Sequence, residues 1–234
     1  STMFSLTLKR VEKVNLQSMT IDKQTDALIF DMDGTLWDAV DTYATIWNMA
    51  FAEIGSTTHI SRSELLAYMG TPIDKILAHF VPEPYTQAFI EAINRLEVSE
   101  LPRLGGTLYP GVTEGITALA QHYKLFILSN CDERELPIFV RYAGLTSCIT
   151  DVLSYGDTRL QKAENMQLLS QRYNLRHPVY VGDTDGDSRE SRRATIPFVW
   201  VSYGFGKTDD YDLHFDSFEA LTRHFISLKT NNTL

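Results

Sequence analysis

Five short runs of this chain are apolar almost throughout, at positions 27–31, 125–129, 149–154, 179–182 and 197–201. A strand covered by helices on both faces has no solvent side and therefore no polar alternation, so these runs predict the strands of a buried parallel sheet. Apolar residues recur at helical spacing between them and predict helices at 112–122, 135–142, 163–173 and 187–194. A final short run at 213–215 predicts an edge strand ahead of a last helix at 217–225.

The rhythm breaks once. Residues 41–106 are too many for one crossover helix and contain no strand pattern, but apolar positions recur at helical spacing over 43–54, 63–69, 73–80 and 84–98. Gly55, the Gly70-Thr71-Pro72 turn and Pro82 punctuate them. The expected fold is therefore α/β: a Rossmann-like doubly wound parallel sheet core from residues 25–40 and 107–234, with an inserted α-helical cap domain at 41–106. Such an insertion is joined to the core by two linkers, which can act as a hinge and exclude water when the insert closes. Residues 1–24 form an N-terminal extension in which the alternation over 4–14 is that of a short extra strand.

With 234 residues, 44% of them hydrophobic, the chain can bury a full core. Its formal net charge of -9 opposes nucleic acid and anionic membrane surfaces as partners. No apolar run has the length of a membrane span and no secretory leader is recognisable, so the cytoplasm is the expected location. The cysteines, Cys131 and Cys148, lack the close pairing of zinc or redox motifs and are expected as reduced thiols.

In an open α/β sheet, ligands gather beyond the carboxyl ends of the strands. The first strand runs out into Asp31-Met32-Asp33-Gly34-Thr35-Leu36, the second into Ser129-Asn130, and the fourth into Gly182-Asp183-Thr184-Asp185-Gly186-Asp187. Carboxylates brought together from adjacent strand ends repel one another, and a divalent cation removes that conflict. An all-oxygen ligand set without a His or Cys cluster favours magnesium over zinc, and magnesium commonly pairs few carboxylates with phosphate oxygens.

Together with Lys162, these three strand ends resemble, in order and spacing, the four motifs of the haloacid dehalogenase superfamily. The resemblance covers nearly the whole chain from about residue 27 onward. Gly70-Thr71-Pro72 and Tyr109-Pro110-Gly111-Val112 are most similar to members of the phosphoglycolate phosphatase and β-phosphoglucomutase type. It implies Asp31 as nucleophile and Asp33 as general acid and base, with a small phosphate monoester, phosphoglycolate among the candidates, as substrate. Phosphate binding is implied for Gly34, Ser129, Asn130 and Lys162, and magnesium binding for Asp31, Asp33 through its backbone carbonyl, Asp183 and Asp187. Ala163 stands after Lys162 where many relatives have proline, and Arg159 competes with Lys162 for the basic role.

Two related chemistries share the fold. A sugar phosphomutase passes the phosphoaspartate to a sugar, and a 2-haloacid dehalogenase uses an Asp nucleophile with no need for Asp33 or a magnesium site. Trp37, Tyr43 and Trp47 are expected to serve as core residues, and Asp185 as part of a turn. Arg192 and Arg193 are expected on a helix surface. Arg62, Lys75 and Arg103 are candidate substrate contacts from the insert.

Overall fold

The computed structural model describes residues 19–230. The expected strand at 4–14 lies outside them.

Strand β1 (Ala27–Phe30) is buried completely and sends alternate side chains to opposite faces. Leu28 and Phe30 enter one hydrophobic cluster, Ala27 and Ile29 the other. The period-2 geometry of a strand is thus intact, and the missing polar alternation is the consequence of helices on both sides. After β1 come β2 (Trp37–Asp38) and the helices α1 (Val40–Glu53), α2 (Arg62–Leu66), α3 (Ile73–Phe80) and α4 (Glu83–Leu104). The chain returns through β3 (Thr107–Leu108) and α5 (Val112–Leu119), then β4 (Lys124–Ser129) and α6 (Glu135–Tyr142). It continues with β5 (Asp151–Ser154), α7 (Tyr155–Thr158), α8 (Lys162–Arg172), β6 (Pro178–Gly182) and α9 (Asp185–Arg193). The last elements are β7 (Phe198–Val201), β8 (Leu213–Phe215) and α10 (Phe218–Thr230).

The main sheet has six strands in the order β5-β4-β1-β6-β7-β8, every pair parallel. Strand β1 lies between β4 and β6, where the chain, having built outward to β5, crosses back to the other side. This is the topological switch point, at which loops diverge and leave a crevice.

Helices α1 to α4 form a helical cap over that edge. Its interior is aromatic: Trp47 meets Phe80 and Phe89 edge to face at 6.1 and 5.1 Å. Helix α4 extends past the expected end at 98 because Leu101 is fully buried, and it closes at Gly105 with φ 60°. A Cβ at Gly105 would lie 2.1 Å from the Tyr142 ring.

The two linkers between core and cap pair with each other: β2 and β3 form an antiparallel ribbon with Trp37 opposite Leu108 and Asp38 opposite Thr107. Two-residue strands carry no readable period, so the linear pattern had no signal for them. Arg62 of α2 grips this ribbon, its Nη2 2.5 Å from Asp38 Oδ2. No described helix is long and apolar enough to cross a membrane.

Candidate active site

Asp31 leaves β1 at the switch point and donates its backbone N–H to Val181 O at 2.9 Å, which locks the strand end against β6. Lys162, the first residue of α8, is 3% exposed. Its Nζ lies 3.1 Å from Asp31 Oδ1 and 2.7 Å from Asp187 Oδ1. Burial disfavours the ammonium, but Asp187 and Asp31 more than offset it and hold the lysine protonated. Arg159, the competing basic residue, instead lies at the surface with its Nη1 3.5 Å from Asp74 of the cap.

Asp187 is bonded from all sides. Oδ1 accepts from Lys162 and from Tyr180 Oη at 2.7 Å. Oδ2 accepts from the backbone N–H groups of Asp183 and Thr184 and from Thr184 Oγ1. Thr184 and Asp187 form the capping box of α9, so a local helix-start signal also sets the geometry of the site. Burial raises the Asp187 carboxyl, yet Lys162 and these donors outweigh it and hold it below the ordinary range. Asp183 Oδ1 accepts from Thr35 Oγ1 at 3.2 Å, and Oδ2 from the Phe205 N–H at 2.8 Å.

Carboxylate oxygens of Asp31, Asp183 and Asp187 all lie within 4.8 Å of one another. Burial, with Asp187 next in weight, raises Asp31 well above the usual carboxylate range and pushes Asp183 up to about 6. Lys162 supplies one positive charge to three carboxylates, so a residual negative charge is held away from bulk water. The donor set is hard oxygen and fits a divalent cation such as magnesium. Gly34 is required beside it: φ is 81°, and a Cβ would lie 2.1 Å from Asp183 Oδ2. The Gly34 N–H, expected to meet phosphate, donates to Trp37 O at 2.9 Å.

Asp33 faces the cap. Trp37 Nε1 and Tyr43 Oη both donate to its Oδ1, at 3.1 and 3.2 Å, and neither engages Oδ2. Burial raises the carboxyl most, the two donors pull it back, and the balance is about 7. A carboxyl poised there can give and take a proton near neutral pH.

A cavity between core and cap is lined by Asp31, Asp33, Ser129 and Asn130 from the core and by Trp47 and Ile73 from the cap. A neighbouring cleft includes Lys162, Asn130 and Lys75. Asn130 Nδ2 donates to Gly70 O at 2.8 Å, and Tyr155 Oη to Asp74 Oδ2 at 2.8 Å, so the cap rests directly on the strand-end loops. Of the three cationic cap candidates, Lys75 reaches the cleft. Arg62 is held by Asp38, and Arg103 is paired with Glu100 on the surface.

Residues 28–201 match the family described as haloacid dehalogenase-like hydrolase. The chain belongs to this family. It is 28% identical to a phosphoglycolate phosphatase of Nitrosospira multiformis, over 82% of this chain and 89% of that protein. It is 25% identical to a phosphoglycolate phosphatase of Rhodobacter capsulatus, over 78% and 86% respectively. In fold it is similar to a haloacid dehalogenase-like hydrolase from Streptococcus pneumoniae, with TM-score 0.75 and 18% identity over 86% of this chain and 99% of that one. A structure described as a predicted phosphoglycolate phosphatase from Haemophilus somnus has TM-score 0.72 and 21% identity over 86% and 98%.

Several residues around this acidic cluster escape a linear reading. Trp37 and Tyr43 are buried, as expected of core residues, but their polar tips hold Asp33. Tyr180 lies inside a strand, where only the fold brings its hydroxyl to Asp187. The loop after β7 closes over Asp183: Tyr203 Oη donates to Thr35 O at 2.6 Å, and a Cβ at Gly204 would lie 2.2 Å from Gly34 O. The Gly204-Phe205-Gly206 spacing just beyond the fifth apolar run was its one visible signal. Asp185 is turned to Arg189 and Thr208, and Arg192 and Arg193 form ion pairs on the surface of α9.

Proposed function

We propose that this protein is a magnesium-dependent phosphatase that hydrolyses a small phosphate monoester through an aspartyl-phosphate on Asp31. The observation that carries this reading is the placement of Asp31. Its carboxylate groups with those of Asp183 and Asp187 at the switch point and shares Lys162 with Asp187, with Asp33 beside it in the same cavity.

In the first step Asp31 attacks phosphorus and the ester P–O bond breaks, the leaving oxygen taking the proton held by Asp33. In the second, water attacks the phosphoaspartate, gives its proton to Asp33, and the breaking P–O bond returns the Asp31 carboxylate. Ser129, Asn130, Lys162 and the turn at Gly34 would cradle the phosphate. Asp31, Asp183 and the Asp33 carbonyl would hold magnesium, with Asp187 fixing the arrangement around them. A bound magnesium ion would neutralise phosphate charge and orient it for in-line attack. Asp33 distinguishes this reading from dehalogenation, which requires no proton for the leaving group. The closed cap would keep water from competing before the first step.

The names of the relatives make phosphoglycolate the first ester to assay. The two free cysteines, Cys131 buried and Cys148 half-buried, suit a reducing cytoplasm. The test is release of inorganic phosphate from a panel of monoesters with magnesium and with chelator, for the parent and for Asp31→Asn. Magnesium-dependent release that Asp31→Asn abolishes is expected. Undiminished release from Asp31→Asn would overturn the assignment, and phosphate recovered on an added sugar instead of in water would replace hydrolysis by transfer.

A further inference from the structure

Beyond the phosphate, the cavity that contains Asp31 and Asp33 has an acidic lining of its own. Glu97 of α4 and Glu135 of α6 both line it and are 3% and 8% exposed, and no Lys, Arg or His is among its lining residues. Their carboxylate oxygens lie with one from Asp132 in a second grouping within 4.8 Å. Glu97 Oε2 is buried without a hydrogen bond, and Arg134 Nε, 3.5 Å from it, is likewise unbonded. Arg134 is the nearby cation, and it is shared with Asp132 at 3.3 Å, Glu133 at 3.1 Å and Asn94 at 2.5 Å. One guanidinium therefore serves four carboxylates counting Glu97 and the neighbouring Glu135. Burial first, and then the neighbouring carboxylates, raise both Glu97 and Glu135 well above the usual range, and Arg134 only partly offsets this.

A leaving group that carries its own carboxylate would enter this lining against repulsion, with no basic side chain to meet it. One that carries an ammonium would bring a second positive charge and give a hydrogen bond to Glu97 Oε2, which Arg134 reaches only as an ion pair at 3.5 Å, while Trp47, Leu65 and Ile76 cover its methylenes. We infer that the preferred substrate is the phosphate ester of a small amino alcohol, its ammonium group received by Glu97 and Glu135. This rests on the phosphatase reading above and narrows it. Phosphoglycolate, the compound in the names of the relatives, is then a poor substrate here.

The experiment compares kcat/KM for four esters of similar size with magnesium present: 2-aminoethyl phosphate, ethyl phosphate, glycerol 1-phosphate and phosphoglycolate, with p-nitrophenyl phosphate as a general reporter. The aminated ester is expected to exceed ethyl phosphate by about tenfold or more, the worth of one charged hydrogen bond, and phosphoglycolate by more than that. Glu97→Gln and Glu135→Gln should each bring the ratio of aminated to neutral ester toward one. A parent enzyme that turns over p-nitrophenyl phosphate through Asp31 but prefers phosphoglycolate or glycerol 1-phosphate, or does not distinguish the four, overturns this inference and leaves the phosphatase reading standing. A parent that releases phosphate from none of the five overturns both. The parent series decides the matter even if either variant fails to fold.

Discussion

Tyr43, on the first cap helix, donates its hydroxyl to Asp33 at 3.2 Å, so a cap residue holds the carboxyl that is assigned to proton transfer. The bond favours the charged form of Asp33, as does the one from Trp37. The cap in this arrangement therefore does more than cover the site: it supplies a donor that counteracts the rise that burial imposes on the same carboxyl.

Removing that donor should move Asp33 upward from about 7. A hydrogen bond to a charged group is worth roughly 1.5–3 kcal/mol, so Tyr43→Phe is expected to shift the corresponding limb of the pH–rate profile by about one unit or more toward alkaline pH. Steady-state rates of the parent and Tyr43→Phe from pH 5 to 9 will show it. An unmoved limb would mean that Asp33 is not the titrating group.

Lys162 is the only cation in hydrogen-bond contact with Asp31 and Asp187 among the described residues. Lys162→Met would leave two buried carboxylates without their counter-charge, and removal of one partner from a buried pair typically costs about 3–5 kcal/mol. Chemical denaturation of the metal-free protein at pH 7.5 should show a loss of that order, in contrast to Arg193→Met on the surface, where about 0–1 kcal/mol is expected.

The pH dependence of stability without metal follows from Asp33 and Asp183, raised to about 7 and about 6 from ordinary values near 3.8. A carboxyl whose folded pKa is raised binds its proton more tightly in the native state. Its contribution is complete below the unfolded pKa and is lost as pH climbs through the folded one. The metal-free protein should thus lose stability between about pH 4 and pH 7. Magnesium, which competes with the proton on Asp183, should raise the melting temperature more at pH 7.5 than at pH 5. Calorimetric scans at both values, with magnesium and with chelator, test the difference.

Gly34→Ala should impair metal binding. The added methyl would sit 2.1 Å from Asp183 Oδ2, and the residue would hold a positive φ of 81° that alanine disfavours. Isothermal titration with magnesium is expected to show affinity reduced by at least about tenfold, with the protein still folded by circular dichroism. Unchanged affinity would place the ion away from Asp183.

The sheet, its order of helices and the helical insert could be read from the chain because each leaves a periodic trace over several residues. The expected strand runs at 125–129 and 179–182 fall within one residue of β4 (Lys124–Ser129) and β6 (Pro178–Gly182), and α6 (Glu135–Tyr142) has its expected limits. The ribbon of Trp37–Asp38 with Thr107–Leu108 left no trace, since two residues cannot display a period and their partners are distant in sequence.

The same distinction applies to the site. Asp31, Asp33, Ser129, Lys162, Asp183 and Asp187 stand at strand ends or a helix start, where position along the chain is already position in space, and so the sequence alone determined that these polar groups would lie at one end of the sheet. Which groups surround them was a matter for the tertiary structure. Tyr180 reaching Asp187, Tyr43 reaching Asp33, Phe205 closing on Asp183, and Glu97 meeting Glu135 across the cavity all join residues from separate elements. Such contacts depend on how whole helices and strands pack, and packing is set by the summed burial of many side chains, which no local pattern records.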